Sequence, residues 1–386
     1  MRITLYKIIF ALSLSVCIGC GNKENVDRYE DVPYTGNTNM LINSLPLDTV
    51  SIEGSKTSLV GKWSCIDDKL IFGDFYYGSF YIYDTNLNFE KKVMSRGNGP
   101  NEIPSKKWSD YTVYDDKIFI IGGAYDYHII NNKAWKKEKS SRLQFYSKNT
   151  DIKKLSNDPK SQDIEIYEVN YSKLNLSFLN SEKLLFSIST SHPKINAFTS
   201  RTFYDKVNTI GTLDLKKNKI ENMFCNYSPI YKKYEYIPQF SNVLFTKPEN
   251  ELFFSFEADS LIYTSKEDNV IVSKYGSKGR NISAKYPEVT STENYLGVYK
   301  TARAKYGYYK YLKQVPETGI LFRGYQKDQP SKSDGLQIYN DTRLIGDVDV
   351  PKDFKIIGYI EPYYYAQIPP DDLKEEFTLY KFKIDN

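Results

Sequence analysis

Along most of this chain hydrophobic and polar residues alternate with a period of two. The runs are short and bounded by Asp, Asn, Gly, Glu and Lys, the pattern of β-strands joined by tight turns. One phrase recurs, in which polar or acidic residues lead into an apolar pair and then an aromatic-rich run. Asp-Asp-Lys-Leu-Ile-Phe at 67–72 is the first copy, and others stand at 115–120, 181–186, 249–254 and 317–322. Their anchor positions, Leu70, Ile118, Leu184, Leu252 and Ile320, are spaced 48, 66, 68 and 68 residues apart. Each copy has the chemistry of a hairpin turn entering a strand, since Asp, Asn and Gly accept turn geometry and β-branched or aromatic residues then fill a sheet.

Two more strands follow a copy. After the first they are residues 79–84 and 89–93, after the fourth 260–264 and 270–274, after the fifth 336–339 and 343–346. Small antiparallel sheets repeated at a fixed interval imply an all-β single domain, a β-propeller, which leaves only short sheet edges exposed. Residues 41–386 divide into six blades of about 58 residues each, longer than the ~40–50 of common propeller repeats. Six blades of four antiparallel strands is the expected count, with seven as the alternative because 118–184 is long and irregular. A weaker sixth copy lies at 363–367, followed by 377–384. The strand around 47–52 is placed to close the ring against that last blade. Residues 136–142 and 149–162 read as insertions in the second and third blades. In 295–313, Tyr299, Ala302, Tyr306, Tyr309 and Leu312 have near-helical spacing, so that stretch reads as a helix carried on a loop and packed on the rim.

The N-terminus reads as an address. Arg2 and Lys7 precede an apolar run over 8–19, the length of a signal-peptide core and too short to span a bilayer. The run ends Cys17-Ile18-Gly19-Cys20, which resembles the lipobox of bacterial lipoproteins, with Cys17 where that pattern carries Leu. The expectation is a lipoprotein signal peptide over 1–19, acylation of Cys20 and a polar, flexible tether over 20–40. Gly21 is not the Asp that retains such proteins at the inner membrane of enteric bacteria. This favours an outer-membrane lipoprotein, on its periplasmic or cell-surface face.

Composition narrows the chemistry. Tyr (35) and Phe (21) far outnumber Met (4), which supports pleated sheet. The formal charge of +4 falls to about +2 once Arg2 and Lys7 are removed, too little for a nucleic-acid binder. Two histidines, His128 and His192, are too few for the usual multi-His metal sites, and no cofactor is expected. Beyond the leader only Cys65 and Cys225 remain, as one disulfide or two buried thiols. Gly-x-Ser-x-Gly and His-Glu-x-x-His are both absent from the sequence. Asp84-Thr-Asn-Leu-Asn88 opens like a calcium loop but lacks its Gly and closing Glu, so it reads as a hairpin turn.

After the first predicted blade stands Ser95-Arg96-Gly97-Asn98-Gly99-Pro100-Asn101-Glu102. With the strands before it, this resembles the Gly-x-Gly-Pro-x-Glu segment of TolB-like six-bladed propeller lipoproteins of Bacteroidetes. The resemblance covers the lipobox, the first blade and the blade rhythm. It implies an envelope lipoprotein and carries over no catalytic residue. On the residues themselves, Gly97 and Gly99 permit positive φ and Glu102 accepts hydrogen bonds from loop amides. Gly97 and Gly279 each lie 27 residues past an anchor, so their loops share a phase. Arg96, Asn98, Lys278 and Arg280 are therefore expected to ring one face, where an anionic or polyhydroxy ligand would bind, with Glu102 and Trp108 as further candidates. Most aromatic residues are expected to fill blade interfaces, and Trp108 is the expected exception. The functional expectation is a monomeric, non-enzymatic binding or scaffolding module for a protein, peptide or glycan. A glycan lyase or hydrolase using channel carboxylates or Tyr is the alternative.

Overall fold

The computed structural model describes residues 28–384 except 55, 100, 105–106, 147–149, 191, 250, 267–269, 290, 292 and 294. The leader, Cys17 and Cys20 lie outside the described residues. Two N-terminal strands, β1 (Asn37–Ile42) and β2 (Asp48–Glu53), precede the first blade, which is β3 (Gly61–Ile66), β4 (Lys69–Asp74), β5 (Ser79–Tyr83) and β6 (Phe89–Val93). A two-residue parallel pair, β7 (Ser95–Arg96) with β8 (Glu102–Ile103), leads to blade two: β9 (Trp108–Tyr114), β10 (Lys117–Gly122), β11 (Asp126–Asn131) and β12 (Lys136–Arg142). In blade three, β13 (Tyr167–Val169) and β14 (Leu176–Asn180) both pair with β15 (Lys183–Thr190), followed by β16 (Asn208–Asp214) and β17 (Lys219–Asn226). Blade four is β18 (Val243–Thr246), β19 (Leu252–Phe256), β20 (Ile262–Ser265) and β21 (Ile271–Tyr275). Blade five is β22 (Tyr308–Gln314), β23 (Leu321–Gln326), β24 (Asp334–Asn340) and β25 (Arg343–Val350). Blade six is β26 (Lys355–Ile360), β27 (Tyr363–Gln367) and β28 (Glu376–Phe382). The six sheets form a six-bladed propeller, as the repeat predicts.

The recurring phrase is the entry into the second strand of each blade. Between β3 and β4 only Asp67 and Asp68 remain in the turn, both at positive φ (49° and 56°), the requirement of a two-residue turn matched to sheet twist. The ring closes through β2, which pairs antiparallel with β28 as the outer strand of blade six before the chain enters blade one. The seam is aromatic. Phe377 of β28 lies 4.6 Å from Phe72 and 5.4 Å from Trp63, centroid to centroid. Tyrosine fills the other interfaces, and Tyr81, Tyr111, Tyr127, Tyr263 and Tyr325 are all fully buried.

Four expectations need correction. The tether does not extend to residue 40, because Tyr29 and Val32 are buried, Tyr34 bridges to Lys274 of β21 and β1 adds in parallel to β25. From Arg28 onward the chain is a belt across the outer edges of blades four and five. Residues 136–142 are not an insertion but β12, which alternates exposed and half-buried like any outer strand. The helix expected over 295–313 is α3 (Tyr295–Lys305), so the short helices α1 (Ile152–Asn157) and α2 (Arg201–Lys206) come before it. Gly307 sits where a Cβ would meet the Gln326 carbonyl at 2.8 Å, and the β-favouring run beyond it becomes β22, with Tyr309 and Leu312 in the core. Finally, Trp108 is 1% exposed, 5.0 Å from Phe80, and its indole N–H has no acceptor among the described residues.

Candidate functional site: a cationic channel and an adjoining pocket

The connections holding residues 95–102 and 276–281 lie on the same side of the propeller, since each carries the chain from an outer strand to the next inner one. They do not form a ligand ring. The Arg96 guanidinium donates to the Tyr76 carbonyl and lies 5.4 Å from that ring. Arg280 is spent on Asp347 (3.4 Å) and Asp349 of β25. Asn98 and Lys278 are exposed and, like the two arginines, do not line the central channel. Glu102 holds its own loop, accepting from the Gly99 amide (2.8 Å) and the Ser95 hydroxyl (3.2 Å). Gly97 takes a positive φ of 157°, whereas Gly99 does not, and Gly211 lies within β16.

The channel is built by the inner strands. Its cavity, about 600 Å³, is lined by β3, β9, β14, β18, β22 and β26 together with the turn at Tyr171–Lys173. It runs from Tyr171 and Ser172 on one side to Asp115 and Glu317, in hairpin turns, on the other. Five blades contribute lysines: Lys62, Lys173, Lys247, Lys310, Lys313 and Lys355. Three have partners in the protein. Lys62 pairs with Asp110 (2.9 Å) and donates to the Tyr111 carbonyl (2.7 Å), Lys310 pairs with Asp334 (3.0 Å) and Asp353, and Lys247 donates to the Glu249 carbonyl. Burial works against Lys310's charge, but Asp334 and Asp353 outweigh it and raise its pKa.

The side chains of Lys173, Lys313 and Lys355 have no ion pair or hydrogen bond among the described residues. Burial among protein walls pushes all three ammonium pKa values down. For Lys355 the repulsion of Lys62, Lys173 and Lys313 adds to it and Asp110 opposes it, and its pKa is pushed down to about 8 although its side chain still meets channel water. Asp110 and Glu317 in the same lining offset part of this repulsion without pairing with the three lysines, and a like-charged cluster that is only partly offset is costly without a further counter-charge.

A second cavity, about 910 Å³, opens on the side where Tyr171 and Ser172 stand, and these two residues line both. Its walls include Phe198, Tyr295 and Tyr299, and Phe198 meets Tyr295 edge-on at 4.4 Å. Its floor is a chain of amides. The Ser172 hydroxyl donates to Asn170 Oδ1 (2.6 Å), Asn170 Nδ2 to Asn242 Oδ1 (3.1 Å), and Asn242 Nδ2 to Glu257 Oε2 (2.7 Å). Asn196 fixes the 193–199 loop by accepting from the amides of Phe198 (2.9 Å) and Thr199 (3.1 Å).

None of the channel lysines was singled out from the sequence. A faint signal exists. Lys62, Lys173, Lys247, Lys313 and Lys355 precede the second-strand positions Leu70, Leu184, Leu252, Ile320 and Tyr363 by 8, 11, 5, 7 and 8 residues. Among the described residues no cluster of His, Cys, Asp and Glu has the makings of a metal site. Cys65 and Cys225 are free thiols rather than a disulfide, Cys225 buried and Cys65 half-buried in the channel wall. Burial pushes the pKa of each up to about 12. No helix among the described residues is long and apolar enough to cross a membrane.

No family model and no curated protein matches this chain. Solved structures do. A member of the DUF4221 family from Bacteroides vulgatus superposes with a TM-score of 0.65 at 13% identity, covering 89% of this chain and 99% of that one. A protein of Bacteroides fragilis described as exported gives a TM-score of 0.56 at 15% identity, covering 92% and 99%. At these identities the likeness is one of fold.

Proposed function

We propose that this protein is a non-enzymatic binding module of the cell envelope whose central channel takes the anionic group of its ligand. The observation that carries the reading is the set Lys173, Lys313 and Lys355, three ammonium groups from blades three, five and six that share one cavity and have no pairing partner among the described residues. A bound carboxylate, sulfate or phosphate would supply further negative charge and the hydrogen bonds, and a cleft in which six lysines outnumber three carboxylates would draw such a ligand in. A glycan lyase or hydrolase would instead need a free carboxylate pair or Tyr base; Asp110 is committed to Lys62, and the other channel carboxylates, Asp115 and Glu317, stand in the hairpin turns at one end.

The placement in the envelope rests on the leader and on the lipobox-like Cys17–Cys20, and the exported structural relative from Bacteroides fragilis fits it. On this reading acylated Cys20 holds the propeller to the outer membrane.

The test uses pyranine, a compact trisulfonated fluorophore. Titration should show one site per chain whose affinity falls with salt. Lys313→Met/Lys355→Met should lower that affinity at least tenfold, while Lys278→Met, on the exposed connection, leaves it unchanged. Absence of binding, or equal binding by the double variant, would refute the reading.

A further inference from the structure

Resting on that reading, we propose that the cavity beside α3 is a pyranose subsite continuous with the channel, so that the ligand is an acidic oligosaccharide. Its acidic unit would sit among the lysines and its neighbouring rings against Phe198, Tyr295 and Tyr299.

Adjacency is the first support. Tyr171 and Ser172 belong to the walls of both cavities, so the two adjoin across these residues. A lone small anion would leave the larger cavity empty, and an extended ligand fills both. Wall chemistry is the second. Sugar rings present C–H faces that pack on aromatic rings and an equator of hydroxyls that needs amide and hydroxyl partners. This cavity offers both in one place, with three aromatic rings and with Asn170, Asn242 and Ser172 in its lining.

The amides are also held in position. Asn242 donates to Glu257, which is fully buried and gripped by Arg303 through two hydrogen bonds of 3.0 and 3.1 Å. Asn170 is then oriented by Asn242, and each amide nitrogen carries a second hydrogen beyond the one used in the chain. An array fixed before the ligand arrives saves ordering entropy on binding. An acidic peptide would satisfy the channel equally well but has no ring faces to match the aromatic wall, so it serves as the competing outcome.

The experiment is calorimetric titration of the full chain with hexagalacturonate, hexamannuronate, a heparin hexasaccharide, fully methyl-esterified hexagalacturonate, galacturonate monomer and hexaglutamate. At least one acidic hexasaccharide should bind at least 30-fold more tightly than the monomer and than hexaglutamate. Tyr295→Ala should lower hexasaccharide affinity at least tenfold and leave that of the monomer alone. Ser189→Trp fills the cavity without removing any contact, and it should do the same even where Tyr295→Ala loosens α3. Lys313→Met/Lys355→Met should weaken both ligands.

The two claims fail differently. If the monomer and pyranine bind but no acidic hexasaccharide gains, or Ser189→Trp has no effect, the subsite is refuted and the channel reading stands. If the methyl ester binds as tightly as the acid, the channel reading falls and the subsite survives. Tighter binding of hexaglutamate, or no binding by any hexasaccharide, overturns the sugar assignment.

Discussion

Arg303 of α3 and Glu257, just past β19, form a two-armed ion pair, with Nη2 to Oε1 at 3.0 Å and Nη1 to Oε2 at 3.1 Å. Glu257 has no exposed surface, and Arg303 also stacks on Tyr308 at 4.2 Å. Burial works against the guanidinium's charge, and Glu257 outweighs it and raises the pKa. The pair fastens the helix that walls the pocket to the blade that carries its floor.

Breaking that pair from one side should be expensive. Arg303→Met leaves a buried carboxylate unpaired and is expected to cost about 3–5 kcal/mol in urea denaturation. Replacing both residues, Arg303→Met with Glu257→Met, should restore most of the loss while still abolishing hexasaccharide binding, because Asn242 then loses its anchor. Equal destabilisation by the single and double replacements would contradict this.

The closing seam is expected to be as sensitive. Phe377 is 3% exposed and packs on Trp63 and Phe72 across the join between blades six and one. Phe377→Ala should cost about 3–5 kcal/mol, the price of a cavity where neighbours are fixed on both blades. Surface substitutions on the belt, such as Met40→Ser, should stay within about 0.5 kcal/mol.

Cys65 and Cys225 are expected to remain reduced and inert in the folded protein. A thiol whose pKa is about 12 carries almost no thiolate at pH 8, and the thiolate is the reactive form. Iodoacetamide at pH 8 should leave the two cysteine-containing peptides unmodified in the native state and alkylate both after unfolding. A peptide cross-linked through both residues would overturn the assignment.

The architecture was legible because a propeller repeats a local rule. Turn chemistry at Asp67–Asp68 and a following apolar run mark the same strand in each blade, and Leu47–Ile52 had a place to pair only if the ring closed. The site was not legible for the opposite reason. Lys173, Lys313 and Lys355 are separated by 140 and 42 positions, share no motif, and meet only when six inner strands surround one axis. Arg96 and Arg280 stood in glycine-rich loops that looked like ligand loops, yet the local backbone and carboxylates of β25 consume them. Trp108 was misjudged because a strand's first residue can point into the core as readily as its middle.

The channel should titrate near neutrality through Lys355. Its pKa in the folded chain, about 8, lies below the usual lysine value of 10.5, because protein walls and the charges of Lys62, Lys173 and Lys313 disfavour the ammonium. Between about pH 8 and 10.5 the unfolded chain holds a proton on this lysine that the folded chain has released. Stability therefore rises with pH across that window, and the penalty is present in full below it. Anion binding runs the other way, since the ligand needs the proton and lifts the pKa toward its ordinary value. Affinity for galacturonate, which keeps a single negative charge throughout this range, should thus fall as pH climbs from 7 through 9, with proton uptake on binding seen as a buffer-dependent heat. Lys355→Met should raise the denaturation midpoint at pH 7 and flatten the affinity profile while weakening binding. A wild-type affinity that does not change between pH 7 and 9, or a Lys355→Met variant less stable than the parent at pH 7, would show that this lysine already has its counter-charge within the fold.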